Sequence, residues 1–189
     1  MTTIVQGEVA RGERLLLREK RLGDAPNDYR WRTEPDLTRY DAARPLTMNY
    51  QEYLALARDE LLYPNPHRRT LAIEDNAGRH IGNVMYYNID RPRQEAELGI
   101  TIGDRAYWGQ GYGTEALRLF VEYLLGQMGF RRLHLKTLDW NGRAQRCFTN
   151  ARFAEYGRAH RSGNIFILME LRREWLDGDG ETADGMAKG

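Results

Sequence analysis

The sequence predicts an α/β chain of mixed α+β character, with about seven strands and about four helices. Three observations carry this. Segments with apolar residues at every second position alternate along the chain with segments at helical spacing. At the centre, residues 97–117 join one segment of each kind through a glycine-rich turn. The chain of 189 residues fits one domain and can bury a substantial core.

The elements follow in order. Leu15, Leu16 and Leu17, between Arg14 and Arg18, form the first strand, and residues 1–12 before it a flexible lead-in. Asp24-Ala-Pro26 starts a helix with an N-cap acid and an early proline. That helix carries Tyr29 and Trp31 and stops before Pro35. Asn49 with Glu52 is a capping-box signature, and Tyr50, Tyr53, Leu54, Ala57 and Leu61 follow at helical spacing until Pro64 and Pro66. Thr70–Glu74 and Ile81–Ile89 are strands joined by a turn through Asn76 and Gly78.

In the central run, Leu98, Ile100 and Ile102 alternate with Gly99 and Thr101 as a strand. From Thr114, the rows Ala116, Phe120, Leu124 and Leu117, Val121, Leu125 form the apolar face of a helix. Gly109, Gly111 and Gly113 lie just before it. Such a turn lets a ligand approach the backbone and aims unpaired N–H groups at one point, with the positive end of the helix dipole behind them. That is an anion site, and phosphate is its usual occupant. Leu133–Leu138 is a further strand, Asn141 caps a short helix to about Asn150, and Phe153–His160 with Ile165–Leu171 form a closing hairpin around Ser162 and Gly163. The domain therefore spans 13–176, and the Gly- and acid-rich stretch 177–189 reads as a disordered tail.

Composition narrows the classes. The 28 basic and 27 acidic side chains leave a net charge of +1, with no bulk field for nucleic acid or membrane. One cysteine excludes an internal disulfide and fits a reducing compartment. No window approaches the apolar length of a membrane span or a signal peptide, so a soluble cytoplasmic protein is expected. The four histidines lack the spacing of a metal-ligand set, so no metal is expected.

The run Trp108-Gly-Gln-Gly-Tyr-Gly-Thr-Glu-Ala116 resembles the pyrophosphate loop of the Gcn5-related N-acetyltransferases (GNAT), in their ribosomal-protein- and spermidine-acetylating branch. Gly111 and Gly113 take the two small positions, and Trp108 stands where Arg or Gln is usual. Asn141-Gly-Arg-Ala-Gln-Arg-Cys-Phe148, followed by Phe153, is similar to a second motif of that family. The resemblance implies a twisted mixed sheet with helices on both faces, and acetyl-CoA as co-substrate in a gap beside the central strand. It implies cofactor contacts at Ile100, Ile102, Gln110, Gly111, Tyr112, Gly113, Thr114, Asn141, Arg143 and Arg146. Glu97 matches a glutamate that orders a deprotonating water, and otherwise reads as an edge acid paired with Arg91 or Arg93. The tyrosine that protonates the leaving thiolate falls on Phe148, which has no proton to give; Tyr112 or a water is the stand-in.

The expected activity is transfer of an acetyl group to a primary amine on a small molecule or a protein N-terminus, with a homodimer as one possible assembly. Eight acids against five arginines over residues 24–60 suit a cationic acceptor. Tyr29, Trp31, Tyr40, Tyr86 and Tyr87 are candidates to line its pocket. Two alternatives stand beside this. Phe148 suits a cofactor-binding protein with weak or no transferase activity. Gly109, Gly111 and Asp139 suit a nicotinamide-dependent oxidoreductase, though the third glycine of that motif is missing.

Overall fold

Leu15 and Leu17 belong to the buried cluster that includes Leu117, Phe120 and Leu124 of the glycine-turn helix. Period-2 alternation sends Arg18 to the other face, where its guanidinium grips Asp24 in two bonds of 2.8 and 2.9 Å and also meets Glu74. One strand thus separates an apolar layer from a buried ionic one. Asp24, read from the sequence as a helix cap, makes no side-chain cap bond. Its carboxylate is the partner of Arg18 instead, because a buried arginine requires a bidentate acceptor.

The computed structural model describes residues 7–177. Its strands are β1 (Glu8–Arg11), β2 (Leu15–Glu19), β3 (Arg68–Asp75), β4 (His80–Asp90), β5 (Glu95–Ile102), β6 (Arg132–Leu138), β7 (Ala154–Arg161) and β8 (Asn164–Arg172). They form one sheet in the order β1-β2-β3-β4-β5-β6-β8-β7. Every neighbouring pair is antiparallel except β5 with β6, which is parallel. The helices are α1 (Ala25–Thr33), α2 (Pro35–Thr38), α3 (Tyr50–Leu62), α4 (Tyr112–Glu122), α5 (Gly142–Asn150) and α6 (Glu174–Asp177).

The sheet therefore has eight strands where about seven are expected. The extra one is β1, inside the stretch read as a lead-in. It is only four residues long, and its pairing with β2 is a tertiary event that the local pattern does not announce. The two extra helices, α2 and α6, are single turns of four residues. Pro35 starts α2, one residue after α1 has given way at Glu34. The expected tail lies outside the described residues apart from its first residue, Asp177, which closes α6.

Two expected caps are present. Asn49 and Glu52 exchange side-chain-to-backbone bonds of 3.0 and 2.9 Å at the start of α3. Asn141 accepts from the Ala144 N–H at the start of α5. Among the described residues, no helix is long and apolar enough to cross a membrane, and no group of three or more metal-ligating side chains is assembled.

Candidate active site

The parallel ladder between β5 and β6 is short: Glu95, Ala96 and Glu97 pair with Arg132, Leu133 and His134, and then the strands part. Beyond Glu97, β5 pairs only with β4. A strand residue presents its N–H and C=O to the same neighbour, and successive residues alternate. The Ile102 carbonyl is on the open side, where it accepts from Trp108 Nε1 at 2.7 Å. Ile100 therefore presents its polar groups to that same open edge.

The opening is a cleft of ≈ 840 Å³, within the range of small-molecule sites. Ile100, Ile102, Gly111, Gly113, Thr114, Asn141, Arg143 and Arg146 all line it, so eight of the ten residues proposed for the cofactor converge on one cavity. The other two, Gln110 and Tyr112, are absent from the lining. The Gln110 side chain turns back to the Ala106 carbonyl. The Tyr112 ring is held by Arg14, 4.5 Å above it, and edge-on by Tyr107. Tyr112 is thus no stand-in for the missing acid, and what these two residues offer the cleft is backbone.

That backbone is free. Gly111 sits at φ +85° as the N-cap of α4, a conformation that glycine takes without strain. The first bond of the helix runs from the Glu115 N–H to the Gly111 carbonyl. The N–H groups of Tyr112, Gly113 and Thr114 precede it and have no internal acceptor among the described residues. A Cβ on Gly113 would lie 3.5 Å from Cys147 Sγ and 3.6 Å from Ile102 Cγ1, directly on the cleft wall. On the facing side, Asn141 spends its oxygen on the helix cap and leaves its Nδ2 group without a partner among the described residues. A helix N-terminus with three free donors, an unpaired strand edge and a spare amide donor suit a phosphorylated ligand with an amide-bearing arm.

Glu97 is buried at 7% exposure and is not in the cleft lining. It pairs with Lys136, at 2.6 Å, rather than with Arg91 or Arg93. Tyr87 Oη and Asn88 Nδ2 also donate to it, each at 2.9 Å. Burial alone would raise its pKa, but the bonds from Lys136, Asn88 and Tyr87 outweigh burial and hold the carboxyl below its ordinary value. Tyr87 does line the cleft. Burial, the Glu97 charge and the bond to it push its phenol well above the usual range, so it stays protonated.

A second cavity of ≈ 780 Å³ lies between the sheet and the α1–α3 segment. It shares five lining residues with the cleft: Leu37, Asp41, Arg68, Met85 and Thr101. Met85 and Thr101 lie on the sheet face opposite α4, so the two cavities meet through the parted sheet. Asp41 sits at that junction, on the turn after α2. Asp41 is exposed to the water of the cavities, and the protein atoms crowded around that opening raise its carboxyl to about 6. No hydrogen bond or ion pair reaches that carboxylate among the described residues. Sequence reasoning missed Asp41, because a lone acid on an irregular turn carries no pattern.

The candidate aromatics divide. Tyr40 and Tyr87 line the cleft, Trp31 and Tyr86 the second cavity. Tyr29 lines neither; it packs on Tyr50 and Tyr53 and donates to the Met48 carbonyl at 3.0 Å. Phe148 is buried in the cleft wall, and Cys147 beside it is kept as a thiol by burial. Asp139 is not among the lining residues, which removes the acid that a nicotinamide ribose would need.

Comparison with known proteins adds the following. The family description "Acetyltransferase (GNAT) domain" matches residues 14–154. An N-acetyltransferase of Bacillus licheniformis, named p20 and itself uncharacterised, is 24% identical over 172 residues, covering 86% of this chain and 96% of that protein. Among solved structures, spermidine N-acetyltransferase from Vibrio cholerae, in complex with CoA and spermine, superposes with a TM-score of 0.76. The sequences are 18% identical, over 86% of this chain and 98% of that one. An aminoglycoside acetyltransferase in complex with coenzyme A gives 0.72 at 18% identity, over 86% and 97%. At these identities the structural likeness is one of fold.

Proposed function

The chain belongs to the acetyltransferase (GNAT) family, and from that premise we propose that it moves the acetyl group of acetyl-CoA to a primary amine by direct attack. The cleft would hold acetyl-CoA and the second cavity the amine. One observation carries this reading: β5 parts from β6 after Glu97 beside three free N–H groups at the start of α4. Acetyl-CoA, when bound, supplies an acyl carbon activated as a thioester.

The residues of the chain then divide the work. The N–H groups of Tyr112, Gly113 and Thr114 hold the pyrophosphate, with Arg143 and Arg146 nearby and the Asn141 amide on the connecting arm. The open edge of β5 at Ile100 offers N–H donation to the carbonyl oxygen as it gains charge, usually the largest catalytic contribution. Asp41, at the junction, is the proton acceptor. A carboxyl near 6 is ionised at neutral pH and basic enough to take the amine proton as the N–C bond forms. Glu97 acts behind Tyr87: it fixes the phenol proton, so the Tyr87 oxygen presents a lone pair to the incoming amine. The leaving thiolate, of pKa near ~8.5, departs without an acid.

A second reading, a CoA-binding protein with slow transfer, is favoured by Phe148 at the position of the family's acid. A soluble, cytoplasmic setting suits either. The first test is the melting temperature with acetyl-CoA, beside NADH. Ligand at 100 times its Kd stabilises by about 2.7 kcal/mol, which is roughly 5–10 °C for a chain of this size. A shift with acetyl-CoA alone is expected. A shift with NADH alone, or none, would overturn the reading.

A further inference from the structure

The acceptor-side cavity carries the opposite charge from the one its segment of sequence suggests. Residues 24–60 hold more acids than arginines, yet four acidic and seven basic side chains line the cavity itself. The difference arises because the end of β2, the start of β3 and the loop after β4 also contribute charged walls. Internal pairing removes part of this set. Glu19 is engaged by Arg69 and Asp28 by Lys20.

What remains is uneven. Arg32, Arg44, Arg68 and Arg91 have no carboxylate within ion-pair reach among the described residues, and Asp41 and Glu60 have no cation. All four are exposed, and Arg32 lies over the Tyr53 ring, so together they give the mouth of the concavity a positive bias. A polycationic amine would be repelled there.

The junction sharpens the point. Of the five residues shared by the two cavities, only Asp41 and Arg68 are charged, and no salt bridge joins them. One unpaired acid and one unpaired guanidinium therefore flank the passage where the amine must meet the thioester.

Resting on the acetyl-transfer reading above, we propose that the acceptor is an amine that carries its own carboxylate, its nitrogen directed to Asp41 and its carboxylate to Arg68. Free amino acids and short acidic peptides share this chemistry. Arg68 suits the task because its planar fork matches a carboxylate in two bonds. The surplus at Arg32, Arg44 and Arg91 draws the anion into the cavity.

The test is acetyl transfer followed by thiol release, with four acceptors: the dipeptides Ala-Glu and Ala-Gln, both amidated at the C-terminus so that only Ala-Glu keeps a carboxylate, free glutamate and a polyamine. The two dipeptides have like α-amines, so their ratio isolates the side-chain carboxylate. Charge-assisted hydrogen bonds predict a kcat/KM about tenfold or more higher for Ala-Glu than for Ala-Gln. Arg68→Met brings that ratio towards one through KM, and Arg68→Lys restores part of it. Arg44→Met, further from the junction, lowers the ratio less, which covers the case of a poorly folded Arg68 variant. Free glutamate against Ala-Glu tells a small amino acid from a peptide terminus. A ratio near one, a polyamine as the best acceptor, or acetyl-CoA binding with transfer to none of the four would overturn the inference and leave cofactor binding intact. Absence of the acetyl-CoA melting shift would instead overturn the reading beneath it.

Discussion

Trp108 Nε1 donates to the Ile102 carbonyl over 2.7 Å, so the last acceptor on the open edge of β5 is already taken. The indole also carries the Arg143 guanidinium 3.5 Å from its ring centroid, and Tyr40 stands edge-on to it. The glycine-turn loop, α5 and the turn after α2 are joined at this one ring.

Trp108→Phe keeps an aromatic face for Arg143 and removes the donor. Losing one such bond costs about 1 kcal/mol of stability. Because the loop that carries the free N–H groups is anchored by it, acetyl-CoA affinity falls about three- to tenfold in the same variant. Titration calorimetry reads this directly. An unchanged Kd would mean that the bond does not shape the cofactor site.

Gly103, just past β5, touches Trp31 of α1 so closely that an added Cβ would lie 2.0 Å from the ring. Its N–H is committed to the Ile81 carbonyl, so the backbone cannot slide away. Gly103→Ala therefore destabilises by about 1–3 kcal/mol, as overpacking does. That is a melting point lower by roughly 2–12 °C. Gly126→Ala is the control: nothing lies within 4 Å of its Cβ and its φ is not positive. It should melt at or above the parent temperature.

Why were some of these features legible in the sequence and others not? Asn49 with Glu52, and Asn141 with Ala144, are local bonds spanning three residues, and the sequence shows both. The glycine turn and its helix are local in the same sense. Glu8–Arg11 became a strand only because β2 offered an edge, and Asp24, though it keeps the N-cap position of α1, gives its carboxylate to the buried Arg18 instead of to the helix start. Asp41 and Arg68 are 27 positions apart, and they come to line the same two cavities only once the chain has folded. Local bonds can be read from spacing, whereas partners assembled by the fold cannot.

Asp41 gives a pH dependence with a definite sign. With its carboxyl near 6, the base is ionised above that value, so kcat/KM falls as pH drops through about 6. Asp41→Asn lowers the rate and removes that limb. Glu97→Gln leaves the limb in place, since the Glu97 carboxyl lies below the ordinary range and titrates well under it. Stability follows the opposite course. The folded state binds the Asp41 proton more tightly than the unfolded chain, whose aspartates titrate near ~3.9. Stability therefore declines as pH rises from about 4 to about 6, and Asp41→Asn flattens that decline. A limb near 6 that persists in Asp41→Asn would assign the base elsewhere.

Phe148 lies in the cleft wall beside Cys147, at the position to which the motif resemblance assigns the family's acid. It is 7% exposed and packed within the core cluster, so a hydroxyl at its para position needs either cleft water or a polar neighbour. The thiol of Cys147 is no substitute: burial raises its pKa, and it lies against Gly113 at the start of α4. On the acetyl-transfer reading, thiolate departure is then unassisted, and a general acid typically adds about 10²–10⁴-fold. Phe148→Tyr should raise kcat by at least about tenfold if departure limits turnover. It should also introduce an alkaline limb near ~10, where the new phenol loses its proton. Stopped-flow thiol release across pH measures both. A raised rate with that limb shows that departure was the slow step. An unchanged rate shows that attack by the amine, and hence Asp41, sets the pace.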